Sequence, residues 1–169
     1  ERRLQRMVVL LQMTYLGAPM VYYGDEAGMW GGDDPCDRWP MFWEDLGTYS
    51  PQTADPLDRP RDADQVDVDR ELLQFYRQSI ALRHERPILR YGSCSTAATD
   101  DDAQFFAFRR ELDGEQVLVA FNRGEKEFAW KLPKGAEELA VVFATENGIE
   151  AKTDDGADSL VVLPGHSAV

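Results

Sequence analysis

The chain has 169 residues, of which 43% are apolar and 29% are charged, a composition typical of a folded globular protein. Its formal net charge of -13 argues against nucleic acid or an anionic membrane surface as the main partner, and no apolar run reaches the roughly 20 residues that cross a bilayer. The cysteines, Cys36 and Cys94, are too few for a disulfide framework or a zinc site. We therefore predict free thiols and no cofactor.

The chain begins at Glu1, and no basic segment followed by an apolar one marks a leader. We identify no targeting segment and expect a cytoplasmic protein. The start without Met suggests a fragment or a processed chain.

The first part of the chain predicts a helix followed by a buried strand. From Glu1 to Leu16, apolar residues recur at spacings of three and four, which predicts a helix that buries one face. That face would consist of Leu4, Met7, Val8, Leu11 and Tyr15. Gly17 and Pro19 end this helix. The apolar and aromatic run Met20 to Tyr23 predicts a strand buried on both faces, as in parallel sheets.

A long segment without periodicity, Asp25 to Arg61, separates this strand from a second helix. Loops of this length in compact domains are usually functional or disordered, and four aromatic residues favour an ordered loop near a ligand. These are Trp30, Trp39, Phe42 and Trp43. The second helix begins near Asp67 or Asp69, either of which can cap it, and ends at Pro87. Its apolar face would be Leu72, Leu73, Tyr76, Ile80 and Leu82.

From about Ser93 onwards the pattern changes to short alternating strands. Asp113-Gly114 separates the runs 104–111 and 116–121, which is a strong hairpin signal. Asn147-Gly148 suggests a second hairpin, of residues 139–144 with residues 149–152, and the runs 128–132 and 160–163 complete an antiparallel β-sandwich. One parallel strand and two helices cannot form a complete domain, so we expect the first half to belong to a larger one.

The segment Gly17 to Trp43 reads GAPMVYYGDEAGMWGGDDPCDRWPMFW and resembles the last barrel strand and following loop of the α-amylase family, glycoside hydrolase family 13. Within that family, Tyr22 to Met29 combined with Asp34-Pro35, Arg38 and Pro40 to Trp43 is most like the cyclomaltodextrinase, neopullulanase and maltogenic amylase group. Residues 72–92 resemble the family's last barrel helix. Residues 105–110, 117–122 and 163–169 are similar to parts of its C-terminal β-domain.

The resemblance implies an α/β plus all-β fold. Residues 1–92 would be the last helix–strand–helix elements of a (β/α)₈ barrel with a substrate-binding loop at 24–66, and residues 93–169 an antiparallel β-sandwich domain. The catalytic carboxylates of the family lie on earlier barrel strands, so this chain would carry no catalytic residue and be inactive alone. The whole enzyme would be a retaining hydrolase of α-1,4 glucosidic bonds in cyclodextrins, pullulan or maltooligosaccharides, with α-1,6 bonds as an additional candidate.

The resemblance also implies substrate-binding residues. Asp34 and Arg38 match an Asp and an Arg that hydrogen-bond glucose hydroxyls, a carboxylate accepting and a guanidinium donating; Asp37 is the alternative carboxylate. Their other interpretation is an internal salt bridge that shapes the loop. Trp30 and Trp43 would stack on sugar rings, or pack the loop onto the barrel rim.

Other interpretations remain open at this point. The parent protein could be an α-glucosyltransferase of the same family, or the chain a non-catalytic carbohydrate-binding or interaction module. We predict no metal site, because the acidic run from Asp62 does not fit the calcium-binding EF-hand register. Glu26 is interpreted as a structural hydrogen-bond acceptor. A partial barrel would expose apolar faces, so we expect self-association through the N-terminal half.

Overall fold

The computed structural model describes residues 2–29, 38–43, 67–133, 140–153 and 159–169. The helices in these ranges are α1 (Arg2–Thr14), α2 (Arg70–Glu85) and α3 (Pro87–Tyr91). The strands are β1 (Ser93–Asp100), β2 (Phe105–Leu112), β3 (Glu115–Asn122), β4 (Phe128–Lys131), β5 (Ala151–Thr153), β6 (Ser159–Leu163) and β7 (Ser167–Ala168). The chain divides into two compact units, residues 1–19 with 79–169, and residues 20–78. The domain boundary between residues 92 and 93 stays a prediction.

The strands of the first unit form two antiparallel sheets. One has the strand order β1-β2-β3-β7 and the other the order β4-β6-β5. The hairpin of β2 and β3 pairs Leu112 with Glu115 around Asp113-Gly114, which confirms the predicted hairpin. The φ angles of the two turn residues are 50° and 86°, the positive values that a two-residue hairpin turn of this type requires.

Side chains alternate along β2 between two cores, as the two-residue period of a strand requires. One core lies between the sheets and consists of Phe105, Ala107, Ala120, Trp130, Ile149, Val161 and Leu163. The other lies on the opposite face of the first sheet and consists of Met7, Leu10, Phe108, Val119, Phe121 and Ala168. The first sheet is therefore covered by the second sheet on one face and by α1 on the other. Full burial of a side chain such as Phe108 contributes on the order of 2 kcal/mol.

The buried face of α1 differs from the predicted one. The helix buries Met7, Val9, Leu10, Met13 and Thr14. Of the predicted face only Met7 is buried, whereas Leu4, Val8, Leu11 and Tyr15 are at least 36% exposed. The prediction was wrong because apolar residues surround most of this helix, so the spacing of the sequence allows more than one apolar stripe.

The second predicted helix is confirmed as α2, and a short helix follows it. The backbone N–H of Leu72 donates to Oδ1 of Asp69 over 2.9 Å, so Asp69 is the residue that caps the helix. Within the predicted face Leu72 and Tyr76 are buried, while Ile80 is 37% exposed. Pro87 does not only end α2; it occupies the first position of α3, where its missing N–H costs nothing.

The strand predicted for Met20 to Tyr23 is not present. These residues have no strand conformation, and Met20 is 71% exposed. A strand buried on both faces needs neighbouring parallel strands, and every strand pairing among the described residues is antiparallel. The partial barrel is therefore not confirmed by this structure.

The second predicted hairpin is also wrong. Gly148 has a φ of 83° in a turn at Asn147-Gly148, but residues 140–144 before it form no strand. The strand after the turn, β5, pairs with β6 instead, through Ala151 opposite Val161. The turn signal in the sequence is local, whereas the choice of partner strand depends on which edge the rest of the sheet offers.

Candidate functional site

A groove of about 760 Å³ lies in the second compact unit, residues 20–78. Among the described residues, three segments line it: the turn after residue 23, the segment 38–43, and Val68 with the first turns of α2. The residues relevant to binding are Glu26, Met41, Trp43, Arg70, Gln74 and Arg77.

The first wall is a tight turn built around Gly24, whose φ is 93°. The N–H groups of Ala27 and Met29 donate to the Gly24 carbonyl over 3.1 and 2.9 Å. L side chains rarely adopt a φ of this value, so the backbone conformation of the turn favours glycine. Oε2 of Glu26 accepts the N–H of Gly24 at 3.0 Å. The structural role predicted for Glu26 is confirmed.

The second wall is the segment 38–43, which alternates between anchored and exposed aromatic residues. The Tyr23 hydroxyl donates to the backbone carbonyl of Trp39 over 3.0 Å, and Phe42 is buried to 6% exposure. Trp43, the next residue, is 55% exposed and lines the groove. A half-exposed indole held by a buried neighbour offers a flat apolar face to a ligand.

The third wall is one face of α2. Arg70, Leu73, Gln74 and Arg77 line the groove, and their spacing of three, four and seven residues places them on the same side of a helix. Asp69, the residue that caps α2, is itself held in place, because its backbone N–H donates to the Ala27 carbonyl over 2.9 Å. This bond joins the start of α2 to the turn of the first wall.

The charges at the groove are mixed. Partial burial and the neighbouring Glu26 carboxylate raise the pKa of Asp25, while a backbone hydrogen bond from Tyr22 opposes that change. The groove itself combines the Glu26 carboxylate with the guanidinium groups of Arg70 and Arg77. Donors, acceptors and an aromatic face together suit a neutral polyhydroxylated ligand such as a sugar, which presents hydroxyl groups and an apolar C–H face.

The structure describes some of the predicted substrate-binding residues and not others. Trp43 lines the groove, and Arg38 is exposed. Asp34, its alternative Asp37 and Trp30 lie outside the described residues, so the pairing of Asp34 with Arg38 stays a prediction.

Gln74 and Arg77 were missed by the sequence analysis. The signal that could have found them is their helical spacing on the polar side of a predicted helix that follows an aromatic loop. The sequence analysis used the apolar face of this helix and did not assign its polar face.

In the part of the chain that the structure describes, no three His, Cys, Asp or Glu residues come together in a way that could hold a metal ion. No helix among the described residues is long and apolar enough to cross a membrane. Cys94 is a half-buried free thiol in β1, whereas Cys36 is outside the described residues.

Several known proteins are similar to this chain in sequence. No family model matches the chain. Neopullulanase 2 of Thermoactinomyces vulgaris is 38% identical over 123 residues, which are 72% of this chain and 18% of that protein. A cyclomaltodextrinase of a Bacillus species is 32% identical over 122 residues, again 72% of this chain and 18% of the relative.

A solved structure, the α-amylase from H. orenii, matches 99% of this chain and 35% of its own, with a TM-score of 0.75 and 22% identity. This likeness shows that the fold is shared. The chain spans less than a fifth of the length of the two curated relatives. On the sequence similarity to these enzymes, the chain belongs to the α-amylase family, glycoside hydrolase family 13, and resembles its neopullulanase, cyclomaltodextrinase and maltogenic amylase group.

Proposed function

We propose that this chain is the C-terminal part of a retaining hydrolase of α-glucans that acts on α-1,4 glucosidic bonds, with α-1,6 bonds as an additional candidate. The similarity to neopullulanase 2 over 72% of the chain carries this proposal. Cyclodextrins, pullulan and maltooligosaccharides are the substrates that we propose. The chain would supply substrate-binding residues and a β-sandwich domain, while the preceding part of the polypeptide would supply the catalytic carboxylates.

The proposed roles of the site residues follow from their chemistry. Asp34 and Arg38 would accept from and donate to the hydroxyls of one glucose unit. Trp30 and Trp43 would stack on sugar rings, and for Trp43 the exposed indole at the groove supports this role. Residues 1–92 would complete a (β/α)₈ barrel, whose substrate-binding face is built from the loops that follow its strands.

Hydrolysis is tested with the full-length product of the gene that encodes this sequence. The enzyme should release glucose and maltose from β-cyclodextrin and maltotriose, and Asp34→Ala or Arg38→Ala should lower kcat/KM about 10- to 100-fold while thermal stability changes little. The 169-residue chain alone should release no sugar. Products dominated by transferred glucosyl units would favour a glucosyltransferase, and sugar release by the chain alone would contradict the absence of catalytic residues.

Two further properties belong to the proposal. We place the protein in the cytoplasm, as the name of one relative, an intracellular maltogenic amylase of Bacillus subtilis, suggests; fractionation of the source cells tests this. We also propose that the chain on its own associates with itself, since α1 exposes Val8 to 55% and Leu4 to 40%. Contiguous exposed apolar surface promotes such contacts.

A further inference from the structure

We propose that Gln74 and Arg77 on α2 form, together with Trp43, a subsite that binds one glucose unit of an α-glucan. This inference rests on the proposed function and adds to it a binding surface on a helix. The other residues to which we assign sugar binding lie before α2, between residues 30 and 43.

The position of the three side chains supports the subsite. All three line the same groove, and all lie in the compact unit formed by residues 20–78. Gln74 and Arg77 are exposed and three residues apart, so they project from one side of α2. The Asp69 cap and its bond to the Ala27 carbonyl fix the start of the helix and thereby this face.

The side-chain chemistry matches a sugar ring. The indole of Trp43 offers an apolar surface to the C–H face of glucose. The amide of Gln74 can both donate to and accept from neighbouring hydroxyls, and the guanidinium of Arg77 presents several N–H donors in a fixed plane. These groups would hold the ring by its hydroxyl edge while the indole covers its face.

The charge of the groove favours a neutral ligand over an anion. Arg70 and Arg77 are accompanied by the Glu26 carboxylate in the same lining, and the whole chain has a net charge of -13. A long-range field of this sign repels anions. A phosphate or carboxylate would also gain nothing from the exposed indole, whereas a glucose unit would contact it.

The test is a titration of the 169-residue chain with maltoheptaose, followed by tryptophan fluorescence and by isothermal calorimetry. Each variant is first checked for an unchanged thermal unfolding midpoint. Trp43→Ala should raise the Kd for maltoheptaose at least about 10-fold, and Gln74→Ala and Arg77→Ala about 3- to 10-fold each, the range expected for lost hydrogen bonds. Arg77→Lys should bind between Arg77→Ala and wild type, because the planar fork is lost and a charged donor is kept.

Gln78 provides the matched control. It is an exposed glutamine one turn further along α2, and the groove lining does not include it. Gln78→Ala should change the Kd for maltoheptaose less than about 2-fold, within the effect of an ordinary surface substitution. Inorganic phosphate at 10-fold molar excess over maltoheptaose, about the excess that would displace a ligand of equal affinity, should not compete.

Three results would overturn the subsite. These are no saturable binding of maltoheptaose, binding by Gln74→Ala and Arg77→Ala that equals binding by Gln78→Ala, and displacement of maltoheptaose by phosphate. None of them decides the proposed function, which depends on the sugars released by the full-length enzyme. If that enzyme released no sugar from any α-glucan while the chain bound maltoheptaose as expected, the proposed function would fail and the subsite would stand.

Discussion

Arg83 and Arg110 donate hydrogen bonds to the same backbone oxygen, the carbonyl of Leu89, over 2.9 Å each. Both side chains are buried, and Arg110 is 0% exposed. Their remaining acceptors include four further carbonyls, of Met13, Thr14, Gly17 and Gly92. Helix α1 has no basic residue in its last turn, so two arginines distant in sequence supply the donors that its terminal carbonyls need.

The first prediction concerns this pair. Arg110→Met removes donors from carbonyls that are buried away from water and should reduce the free energy of unfolding by about 3 kcal/mol. Arg90→Ala is the control, since Arg90 is exposed and contacts the Tyr91 ring at 5.0 Å; it should cost less than about 1 kcal/mol. Urea denaturation measures both. If the two variants lost the same free energy of unfolding, the buried carbonyls would be accepting hydrogen bonds from other donors in Arg110→Met.

The charge of Arg83 is part of the same arrangement. Burial lowers the pKa of Arg83, and the charges of Arg110 and Arg90 lower it further. The carbonyls at the end of α1 oppose this repulsion because they carry the negative end of the helix dipole. The two guanidinium groups are therefore stabilised by backbone carbonyl oxygens.

A second prediction concerns Asn122, whose side chain is fully buried. Its Nδ2 carries two N–H donors and lies 2.7 to 3.0 Å from the carbonyl oxygens of Lys126, Leu163 and Pro164, so one N–H is shared between two of them. Its Oδ1 accepts from the Gly124 N–H over 3.0 Å. Asn122→Asp keeps the shape but replaces the donors with a carboxylate oxygen that faces carbonyls. The change should cost about 3 kcal/mol or more.

Asn147 offers the control for that substitution because it is exposed in a turn. Asn147→Asp should change the free energy of unfolding by less than about 0.5 kcal/mol. If thermal denaturation gave the same small shift for both variants, the hydrogen bonds of Asn122 would not stabilise the junction of the two sheets.

The hairpin at Asp113-Gly114 and the hydrogen bonds of the Arg110 side chain show what could and could not be predicted from the sequence. The hairpin was predicted correctly because its turn residues and flanking strands are within a few positions of each other. The Arg110 guanidinium donates to the carbonyl of Thr14, which is distant in the sequence, and no local sequence pattern predicts such a contact. The same reason explains the errors: the strand at Met20 to Tyr23 and the partner of β5 depend on neighbours that local periodicity does not specify.

The candidate site was predictable to a similar degree. Trp43 was identified because aromatic residues in a long loop favour an ordered segment near a ligand, and the structure places it at a groove. Gln74 and Arg77 are ordinary polar residues of a surface helix, and only the fold shows that this face meets the segment 38–43. The amino-acid composition does not indicate that α2 and the segment 38–43 line the same groove.

A third prediction separates a steric from a conformational need for glycine. A Cβ at Gly165 would collide with the backbone carbonyl of Glu125, whereas a Cβ at Gly114 meets no atom within 4 Å but has a φ of 86°. Gly165→Ala should therefore lower the free energy of unfolding by more than about 2 kcal/mol, because the neighbouring backbone must move. Gly114→Ala should lower it by about 1 kcal/mol, because only the positive φ is strained. Denaturant midpoints measured side by side give the comparison. A smaller loss for Gly165→Ala than for Gly114→Ala would contradict the close packing of residues 124 and 125 against residue 165.

A fourth prediction follows from the raised pKa of Asp25. The folded chain binds this proton more tightly than the unfolded chain, so the charged carboxylate lowers stability increasingly as the pH rises above 3.8, the ordinary pKa of the group. Asp25→Asn removes the titration. The stability of the variant relative to wild type should therefore increase from pH 3 to pH 7, within the range over which carboxyl groups titrate. A difference that stays constant or falls with pH in guanidinium titrations would show that Asp25 is not destabilised by burial and by Glu26.

The last prediction tests self-association through α1. Val8 is 55% exposed on this helix, next in its apolar stripe to Leu4 and Leu11, so an acidic residue there should oppose any apolar contact between two copies. Val142, which is 59% exposed outside α1, is the matched control. Val8→Glu should shift the chain towards a monomer in light scattering at concentrations where wild type and Val142→Glu form larger species, because desolvating an unpaired carboxylate at a contact costs several kcal/mol. A wild-type chain that is monomeric at every concentration would contradict the association, and equal shifts for the two variants would place the contact away from α1.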